Sequence, residues 1–446
     1  MDRAARNRYG GANIERLVRL IVVALIFAVG AIVSRVLLAS VPARFILDLA
    51  QPLPVVTWWG STGALFIGIL LTTIAVASVA YAWSLQREPP NVRDTVIASA
   101  AALIAAFVWL PLFSSDVYAY AAYGEMARLG INPYVHVALP QTDPLFHAAS
   151  WQWTGSLPIC VYGTLFVSIA TLVVFVTQHL HVASQLNAFR LLSCAASLCC
   201  VYLLAKCGAE GDDRRARRAA LFLGLNPVAL WAAAEGHNDT LMVALVLAGI
   251  VLYRTKHAAG AFVAVLAGAI KIPGLIAGGT LATVALLERG DRRAFAAGAA
   301  GVAVVAVASL PLIYGATHDL APHGHYAPLA SVQSLHPVVA IAVAIAVLLR
   351  ARTAQTTIDR LASIALAAWL AIPNPYPWYG LWLLPLGAWA SDRRIALTTA
   401  LVCAAATLRY IPDAVALPGS AAALALGAAA LSAYTPLLSR GIIARS

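Results

Sequence analysis

The chain has 446 residues, of which 61% are hydrophobic and only 11% are charged, and its formal net charge is +11. This composition excludes an ordinary soluble enzyme, because apolar runs of about 20 residues recur from end to end and each can cross a bilayer. It also excludes a transmembrane β-barrel, whose strands alternate apolar and polar residues. The basic residues lie in short segments between the runs, where they set topology, so no nucleic-acid partner is expected. The sequence therefore predicts an all-α polytopic membrane protein.

The first 94 residues predict two N-terminal spans, at residues 17–39 and 62–84, with the arginine-rich N-terminus inside the cell. The outer loop between them carries Trp58 and Trp59, and tryptophan favours membrane interfaces. The first apolar run is too long for a signal peptide and lacks a clear cleavage site. We therefore expect it to be retained as a span.

A long outer segment is expected over residues 113–185, after a third outward span at residues 95–112. Within it, residues 161–180 are apolar and long enough to cross the membrane. A crossing there would place the arginines of residues 212–218 on the outer face, against the positive-inside rule. We therefore expect residues 161–180 to form a juxtamembrane helix in the outer leaflet.

The rest of the chain alternates in and out of the membrane and brings the expected total to about 14 spans. One span is expected over residues 219–234, and two short helices are expected to meet at a break at Pro273. The last two spans lie within residues 391–446. With no internal repeat or linker, the whole chain predicts a single membrane domain.

Uncommon polar residues collect at the ends of spans that are predicted to face outward. Asp116 follows the third span, residues 235–239 form the turn after the span at 219–234, and residues 373–379 form a turn of prolines and aromatics. A carboxylate this close to a bilayer is costly and is usually kept for function. Transporters place polar groups near the midplane of repeated halves, and neither feature is evident. The pattern therefore indicates a site that opens at the outer face.

Several motifs in this region resemble a known family. Residues 115–120, Ser-Asp-Val-Tyr-Ala-Tyr, followed by Tyr123 and Gly124 and by Gly-Ile-Asn-Pro-Tyr at 130–134, are similar to the first outer loop of GT-C class glycosyltransferases. Within that class, they most resemble the bacterial polyprenol-phosphate-mannose-dependent α-mannosyltransferases.

Later motifs extend the resemblance over roughly residues 95–390. Residues 161–165, Val-Tyr-Gly-Thr-Leu, are similar to a Tyr-Gly-Pro-Leu segment of that family, with Thr164 in place of the proline. Leu-Asn-Pro at 225–227 and Gly-His-Asn-Asp-Thr-Leu-Met at 236–242 resemble its Asn-Pro and His-Asn-Asp-Ala-Leu-Met pair. Further counterparts are Lys271, Pro273, Pro377, Trp378 and Tyr379.

The resemblance implies an inverting glycosyltransferase with a GT-C-like fold, in the plasma (inner) membrane of a bacterium and active at its outer face. The donor it implies is a polyprenyl-phosphate sugar, with mannose expected first, and the acceptor is a glycan or glycolipid; no cofactor is expected. Inversion is a single displacement and needs one general base near the acceptor hydroxyl. Asp116 fits that base, with Ser114 and Ser115 placed to hydrogen-bond its carboxylate. The alternative is a helix-end carboxylate that only faces water.

Lys271 fits the donor phosphate, because it interrupts an apolar run where a charge needs an anionic partner. It fits equally well a lysine that snorkels from a helix end to the interface. His237 and Asp239 can hold donor or acceptor, or they can form a turn with Asn238 and an N-cap for the next helix.

The other candidate substrate residues are mostly aromatic or polar. Aromatic rings can stack on a sugar, but they are as typical of the interface belt of a membrane protein. The cysteines bracket no histidines at zinc spacing, and no acid pair completes the histidines near residue 318, so no metal site is expected. These candidates are Tyr118, Tyr123, Glu125, Asn132, Tyr134, Asn238, His318, His325, Tyr376, Trp378 and Tyr379.

Two alternatives stay open at this point. The same lipid carrier can hold another sugar, such as glucose, galactose or arabinose. A different class of protein, a flippase or exporter of lipid-linked glycan, would also suit the membrane setting and would perform no covalent chemistry.

Overall fold

The structure is a computed structural model that describes residues 3–39, 61–86, 88–109, 114, 116–135, 140, 142–152, 157–210, 214–318, 336–351, 354, 356–370, 376–408, 411 and 427–438. Every regular element within these residues is a helix. The predicted all-α class is therefore confirmed for the described part of the chain.

The α-helices are numbered in chain order. The first ten are α1 Arg3–Ala39, α2 Ser61–Ser84, α3 Val92–Phe107, α4 Asp116–Arg128, α5 Pro144–Gln152, α6 Thr164–Thr177, α7 Val182–Glu210, α8 Arg214–Gly224, α9 Pro227–Glu235 and α10 Asp239–Tyr253. The others are α11 His257–Leu266, α12 Pro273–Arg289, α13 Arg292–Ala308, α14 Leu310–His318, α15 His336–Ala351, α16 Thr357–Leu370, α17 Leu384–Trp389, α18 Arg393–Thr407 and α19 Thr435–Leu438.

Three helices of the described part are long and apolar enough to cross a membrane: Val18–Leu37 in α1, Ala64–Ser84 in α2 and Val182–Gly208 in α7. The pair α9 and α10 passes the same test together, although it is bent by 116°. These segments make the chain a helical membrane protein. The expected count of about 14 spans stays a prediction, because most other helices are shorter than the roughly 20 residues of a straight crossing.

Trp109 joins the N-terminal helices to the rest of the protein. Its side chain is 1% exposed, and its Nε1 atom donates a hydrogen bond to the carbonyl oxygen of Phe27 in α1 at 3.0 Å. Its ring meets Phe66 of α2 and Trp231 of α9 edge-on, with centroids 5.9 Å and 5.0 Å apart. The N-terminal helices therefore pack directly against the helix that leads to residues 235–239.

The single span predicted at residues 219–234 was wrong, because the chain breaks there into α8 and α9. The side-chain oxygen of Asn226 accepts hydrogen bonds from the backbone N–H groups of Val228 and Ala229 at 3.0 and 3.2 Å. Pro227 takes the first position of α9, where its missing N–H has no cost. An Asn-Pro pair is a helix start signal, and it decides the break.

The break predicted at Pro273 is confirmed. Helix α11 ends in a short 3₁₀ turn, Ala267–Ala269, and α12 begins at Pro273 itself. Lys271 lies in this break, so its side chain belongs to neither of the two apolar helices. The chain thus places its lone lysine of this region between two helix ends.

The apolar run at residues 161–180 forms α6, which has 14 residues. At 1.5 Å per residue this helix is about 21 Å long, short of the roughly 30 Å hydrocarbon core of a bilayer. The length suits the expected juxtamembrane helix, whose position in the membrane stays a prediction. The outer loop predicted to hold Trp58 and Trp59 lies outside the described residues.

Helix α4 lies within the main core, and residues 117–126 are all buried. It packs against α5, α6 and α7. A Cβ atom on Gly124 would come within 2.6 Å of the carbonyl oxygen of Ala170, so the backbones of α4 and α6 are in direct contact. Asp116, at the first position of this helix, is therefore held by a rigid core element.

Candidate active site

Asp116 lies at the edge of the core, with 18% of its side chain exposed. The hydroxyl of Tyr120, one turn later in α4, donates a hydrogen bond to its Oδ2 atom at 3.4 Å. Ser114, expected to bond the carboxylate, instead accepts a hydrogen bond through Oγ from the backbone N of Asp116 at 3.2 Å. Ser115 lies outside the described residues. Ser114 therefore stabilises the helix start, and Tyr120 orients the carboxylate.

His237 is fully buried between two carboxylates. Its Nδ1 atom lies 3.3 Å from Oδ2 of Asp116, at ion-pair distance but without hydrogen-bond geometry. Its Nε2 atom lies 3.3 Å from Oε2 of Glu235. An imidazole with a carboxylate beside each nitrogen can carry a proton on both. In that form it places a positive charge next to Asp116.

A sharp turn between α9 and α10 brings His237 to Asp116. Gly236 caps the C-terminal end of α9, and its φ of +93° is a left-handed conformation that glycine adopts at little cost. The N–H of Gly236 donates to the carbonyl oxygen of Ala233 at 3.1 Å. From α7, the hydroxyl of Ser193 donates to the carbonyl oxygen of His237 at 2.9 Å. The imidazole position thus depends on a glycine turn and on a neighbouring helix.

Asn238 has a buried side-chain amide that is 1% exposed. Neither its Nδ2 nor its Oδ1 atom has a hydrogen-bond partner among the described residues. It occupies the N-cap position of α10 without a capping hydrogen bond from its side chain, and its backbone N donates to the hydroxyl of Tyr120 at 3.4 Å. A buried polar group without a partner costs about 1–3 kcal/mol. The amide is therefore a candidate for binding a polar ligand, and this role of Asn238 stays a prediction.

Lys271 and Asp239 form an ion pair. The Nζ atom of Lys271 lies 2.9 Å and 3.0 Å from the two carboxylate oxygens of Asp239, whose side chain is 0% exposed. The Nζ atom also lies 4.8 Å from the ring centre of Tyr379 and 5.6 Å from that of Trp382. The indole N–H of Trp382 donates to the same carboxylate. Lys271 therefore has an anionic partner inside the protein, and Asp239 does more than begin α10.

The predicted aromatic turn reaches both polar clusters. Residues 373–375 of this turn lie outside the described residues. Residues 377–379 begin a 3₁₀ helix that continues to Trp382, and Trp378 in it is 5% exposed. The ring of Trp378 stacks on His237 with centroids 4.0 Å apart, and on Tyr376 with centroids 4.5 Å apart. Tyr379 stacks on Trp382 at 4.5 Å. Aromatic contacts thus connect the imidazole beside Asp116 with the lysine beside Asp239.

Three of the predicted tyrosines are part of the main core around α4. Tyr118 is 1% exposed and Tyr134 is 4% exposed. The hydroxyl of Tyr123 donates to the carbonyl oxygen of Pro158 at 2.8 Å, and that of Tyr134 donates to the carbonyl oxygen of Tyr162 at 3.1 Å. The bond of Tyr123 holds α4, and that of Tyr134 holds the segment after α4, against residues 157–163. They give the tyrosines a packing role, and their contact with substrate stays a prediction.

Glu125 and Asn132 also have partners within the protein. The carboxylate of Glu125 accepts two hydrogen bonds from the guanidinium of Arg128, at 2.6 and 2.7 Å. The side-chain oxygen of Asn132 accepts a hydrogen bond from the backbone N of Tyr134 at 2.9 Å, as in an Asx turn. Their proposed roles in substrate binding stay predictions.

The histidine loop is largely outside the description. His325 lies outside the described residues, and His318 ends α14 with a side chain that is not described. Three residues of the site were absent from the predicted substrate set: Tyr162, Glu235 and Trp382. Trp382 lies three residues after Tyr379, the last residue of the predicted turn, so helical spacing could have found it.

No three His, Cys, Asp or Glu residues of the described part lie together as metal ligands would. Asp116 and Glu235 approach opposite nitrogens of His237, so they do not converge on one point. The expected metal independence stays a prediction.

The charge around Asp116 keeps its carboxylate ionised. Asp116 lies outside the four segments that pass the membrane-spanning test. Burial by itself raises the pKa of Asp116, but the imidazole of His237, the ammonium of Lys271 and the hydroxyl of Tyr120 lower it, and the pKa ends below its usual value. A carboxylate in this state can accept a proton.

Comparison with known proteins shows the family of this chain. Residues 18–287 match the family described as "Alpha-(1->6)-mannopyranosyltransferase, N-terminal domain". Because the match covers more than half of the chain, the protein belongs to the alpha-(1->6)-mannopyranosyltransferase family.

Two curated relatives carry that name. Alpha-(1->6)-mannopyranosyltransferase A of Mycobacterium tuberculosis is 30% identical over 207 residues, which are 45% of this chain and 39% of the relative. Alpha-(1->6)-mannopyranosyltransferase B of Corynebacterium glutamicum is 25% identical over 384 residues, which are 72% of this chain and 63% of the relative. The matches thus span less than two thirds of either relative's length. No solved structure matches the chain.

Proposed function

We propose that this protein is a membrane mannosyltransferase that moves mannose from a polyprenyl-phosphate carrier to a hydroxyl of a glycan acceptor. The names of its relatives support mannose as the sugar and an α-(1→6) link as the product. The proposed transfer inverts the anomeric centre, so the donor would carry its mannose in β linkage. The distribution of arginines supports a site at the outer face of the plasma membrane.

Asp116 is the proposed general base. In the displacement, the acceptor oxygen bonds to C1 of mannose while the bond from C1 to the phosphate oxygen breaks. The phosphate leaves with the electron pair, and the hydroxyl proton passes to the carboxylate of Asp116. The lowered pKa of Asp116 and the nearby His237 support this role, because the carboxylate must be ionised before the transfer.

The Asn238 amide is proposed to bind the sugar. Its buried Nδ2 and Oδ1 atoms lack partners in the described part of the chain, and sugar hydroxyls can both donate and accept. The backbone N of Asn238 already bonds the hydroxyl of Tyr120, the same hydroxyl that bonds Asp116. A hydroxyl held by Asn238 would therefore lie near the proposed base.

Lys271 is proposed to meet the donor phosphate. Two of the three N–H groups of an ammonium suffice for the two oxygens of Asp239, and the third can reach a phosphate oxygen. With 13% of its side chain exposed, Lys271 is accessible from one side. A hydrogen bond between an ammonium and a phosphate is charge-assisted and therefore stronger than one between neutral groups.

An apolar groove begins beside this ion pair and suits a lipid tail. It runs between α10, α12 and α16 and has Trp382 and Pro273 in its wall. Trp382 also donates its indole N–H to Asp239. A polyprenyl chain in the groove would therefore have its phosphate next to Lys271.

The observation that carries the proposal is the contact between Asp116 and His237. A helix start and a glycine turn, distant in sequence, bring a carboxylate and an imidazole within 3.3 Å of each other, and the next residue, Asn238, has an amide with no partner among the described residues. Structural packing alone does not need this set of polar groups in an apolar protein.

Reconstitution with a defined donor tests the function. We expect the purified protein in lipid nanodiscs to convert polyprenyl-phosphate mannose and a mannoside acceptor into a longer mannoside, with release of polyprenyl phosphate. Turnover with the glucose, galactose or arabinose donor in place of mannose would replace the sugar in the proposal. Movement of intact lipid-linked glycan across vesicles without release of polyprenyl phosphate would identify a flippase instead.

A further inference from the structure

Arg190 is a buried arginine of α7 that binds the ends of two other helices. Only 3% of it is exposed. Its Nη2 atom donates to the carbonyl oxygens of Phe107 and Trp109 at 2.8 and 2.7 Å, and its Nε atom donates to the carbonyl oxygen of Ala234 at 2.6 Å. Its Nη1 atom donates to the side-chain oxygen of Asn187 at 3.0 Å.

Two of these acceptors, the carbonyls of Phe107 and Ala234, are groups that helices leave without partners. Phe107 is the last residue of α3, and Ala234 is next to the last residue of α9. The last carbonyls of a helix have no N–H within it, and they form the negative end of its dipole. One guanidinium thus satisfies and neutralises the C-terminal ends of α3 and α9 together.

The chain beyond each of these ends carries one half of the site. After α3 comes the segment that leads to Asp116, and after α9 come Gly236 and His237. A Cβ atom on Gly236 would lie 3.2 Å from Cγ of Arg190 and 3.4 Å from Cγ2 of Val117, the residue after Asp116. Arg190, the glycine turn and the start of α4 are therefore direct neighbours.

We propose that Arg190 is a positioning residue that holds Asp116 and His237 at their working distance by joining the ends of α3 and α9. This inference rests on the proposed function. The planar fork of an arginine can reach both helix ends at once, whereas an ammonium is a single point with a shorter reach. The cation itself contacts neither Asp116 nor His237 through any of its four hydrogen bonds.

The matched control is Arg35 in α1. Its Nε and Nη2 atoms donate to the carbonyl oxygen of Val108 at 3.1 and 2.8 Å, so it binds the end of α3 but not α9. Arg35→Gln therefore removes a cation from the end of α3 and leaves the end of α9 bound to Arg190. We expect it to change kcat less than threefold.

Kinetics of Arg190→Gln give the first test. We expect kcat to fall about 10- to 100-fold, the scale of a displacement of about 1 Å in an active site, while the KM for the lipid donor changes less than twofold. On an Asp116→Asn background, Arg190→Gln should lower the residual kcat less than twofold, because the base it positions is already gone. The same fold loss on both backgrounds would overturn the inference.

Two further measurements keep the test decisive. In nanodiscs, the hydrogen-exchange rate of Arg190→Gln should rise in peptides covering residues 104–109 and 232–239 and stay unchanged in α12 and α13. Unchanged exchange in the first two peptides would contradict the proposal that Arg190 joins the ends of α3 and α9. If Arg190→Gln does not fold, Arg190→Lys replaces it, and a wild-type kcat for that variant contradicts the need for a fork. If the wild type transfers no sugar, the proposed function fails, and the exchange result alone decides whether Arg190 joins the two helix ends.

Discussion

The ammonium of Lys271 bridges both carboxylate oxygens of Asp239, at 2.9 and 3.0 Å, although the two residues belong to different helices. Asp239 is fully buried and would be costly without this cation. The pair therefore stabilises the fold as well as offering a cation to the donor. Mutational tests at Lys271 must separate these two effects.

A double variant separates the two roles. Lys271→Met leaves a buried carboxylate without its cation, and we expect it to lower the free energy of unfolding by about 3–5 kcal/mol. Lys271→Met with Asp239→Asn should recover most of that stability, because the buried charge is gone and the amide can still accept from Trp382. The KM for the lipid donor should stay about tenfold or more above wild type in the double variant. Recovery of the donor KM together with stability would mean that Lys271 serves only Asp239.

Asp116→Asn tests the general base. The amide keeps the size of the carboxylate and can still accept the hydrogen bond of Tyr120, but it cannot take a proton. We expect turnover to fall about 100-fold or more, the scale of general-base removal, with unchanged donor binding and thermal stability. Asp291→Asn is the matched control. Asp291 is the N-cap of α13, far from Asp116 in the sequence, and asparagine is an equally good N-cap residue. Near-normal turnover of Asp116→Asn would move the base to another carboxylate.

The pH profile of kcat/KM should report the environment of Asp116. The base works when deprotonated, and its pKa lies below the usual value. Activity should therefore stay level as pH falls through the mildly acidic range and should decline only below about pH 4, the ordinary pKa of aspartate. His237→Gln removes the imidazole that lowers the pKa of Asp116 and leaves the effect of burial, so the acid limb should move to higher pH. An unmoved limb would show that another group titrates.

Cysteine labelling tests the topology. In a background with the six native cysteines replaced, Thr142→Cys should react with an impermeant maleimide in intact cells. Arg215→Cys should react only after permeabilisation, since the arginine loop is expected inside. Both positions are exposed in the structure, so access from the correct side is the variable. Labelling of position 215 from outside would make residues 161–180 a full span.

Chelation tests metal dependence. The leaving group is a monophosphate in the proposed reaction, and Lys271 offers it a cation. We expect full turnover after exhaustive treatment with EDTA. Loss of turnover that magnesium or manganese restores would contradict this, and it would direct the search for ligands to the part of the chain outside the described residues.

The sequence by itself determined the class of protein and several local features. The long apolar runs predict membrane helices, because a bilayer has no other partner for the backbone. Pro273 marks a helix start, because proline lacks the N–H that an interior helix position needs, and Asn226 with Pro227 carries the same kind of signal within residues 219–234. The motifs around Asp116 and His237 are short contiguous runs of residues, so they indicate the family without any knowledge of the fold.

The tertiary structure decided which of these residues act together. Tyr120 and Asn238 are 118 residues apart, and Asp239 and Trp382 are 143 apart, so no local pattern could pair them. In the sequence Lys271 is a lone charge, because its partner Asp239 lies on another helix. The bonds of Arg190 to the ends of α3 and α9 exist only in the packed structure. Pairing of this kind depends on how the helices pack. A buried charge without a counter-charge is costly, and only the packed fold brings the two partners together.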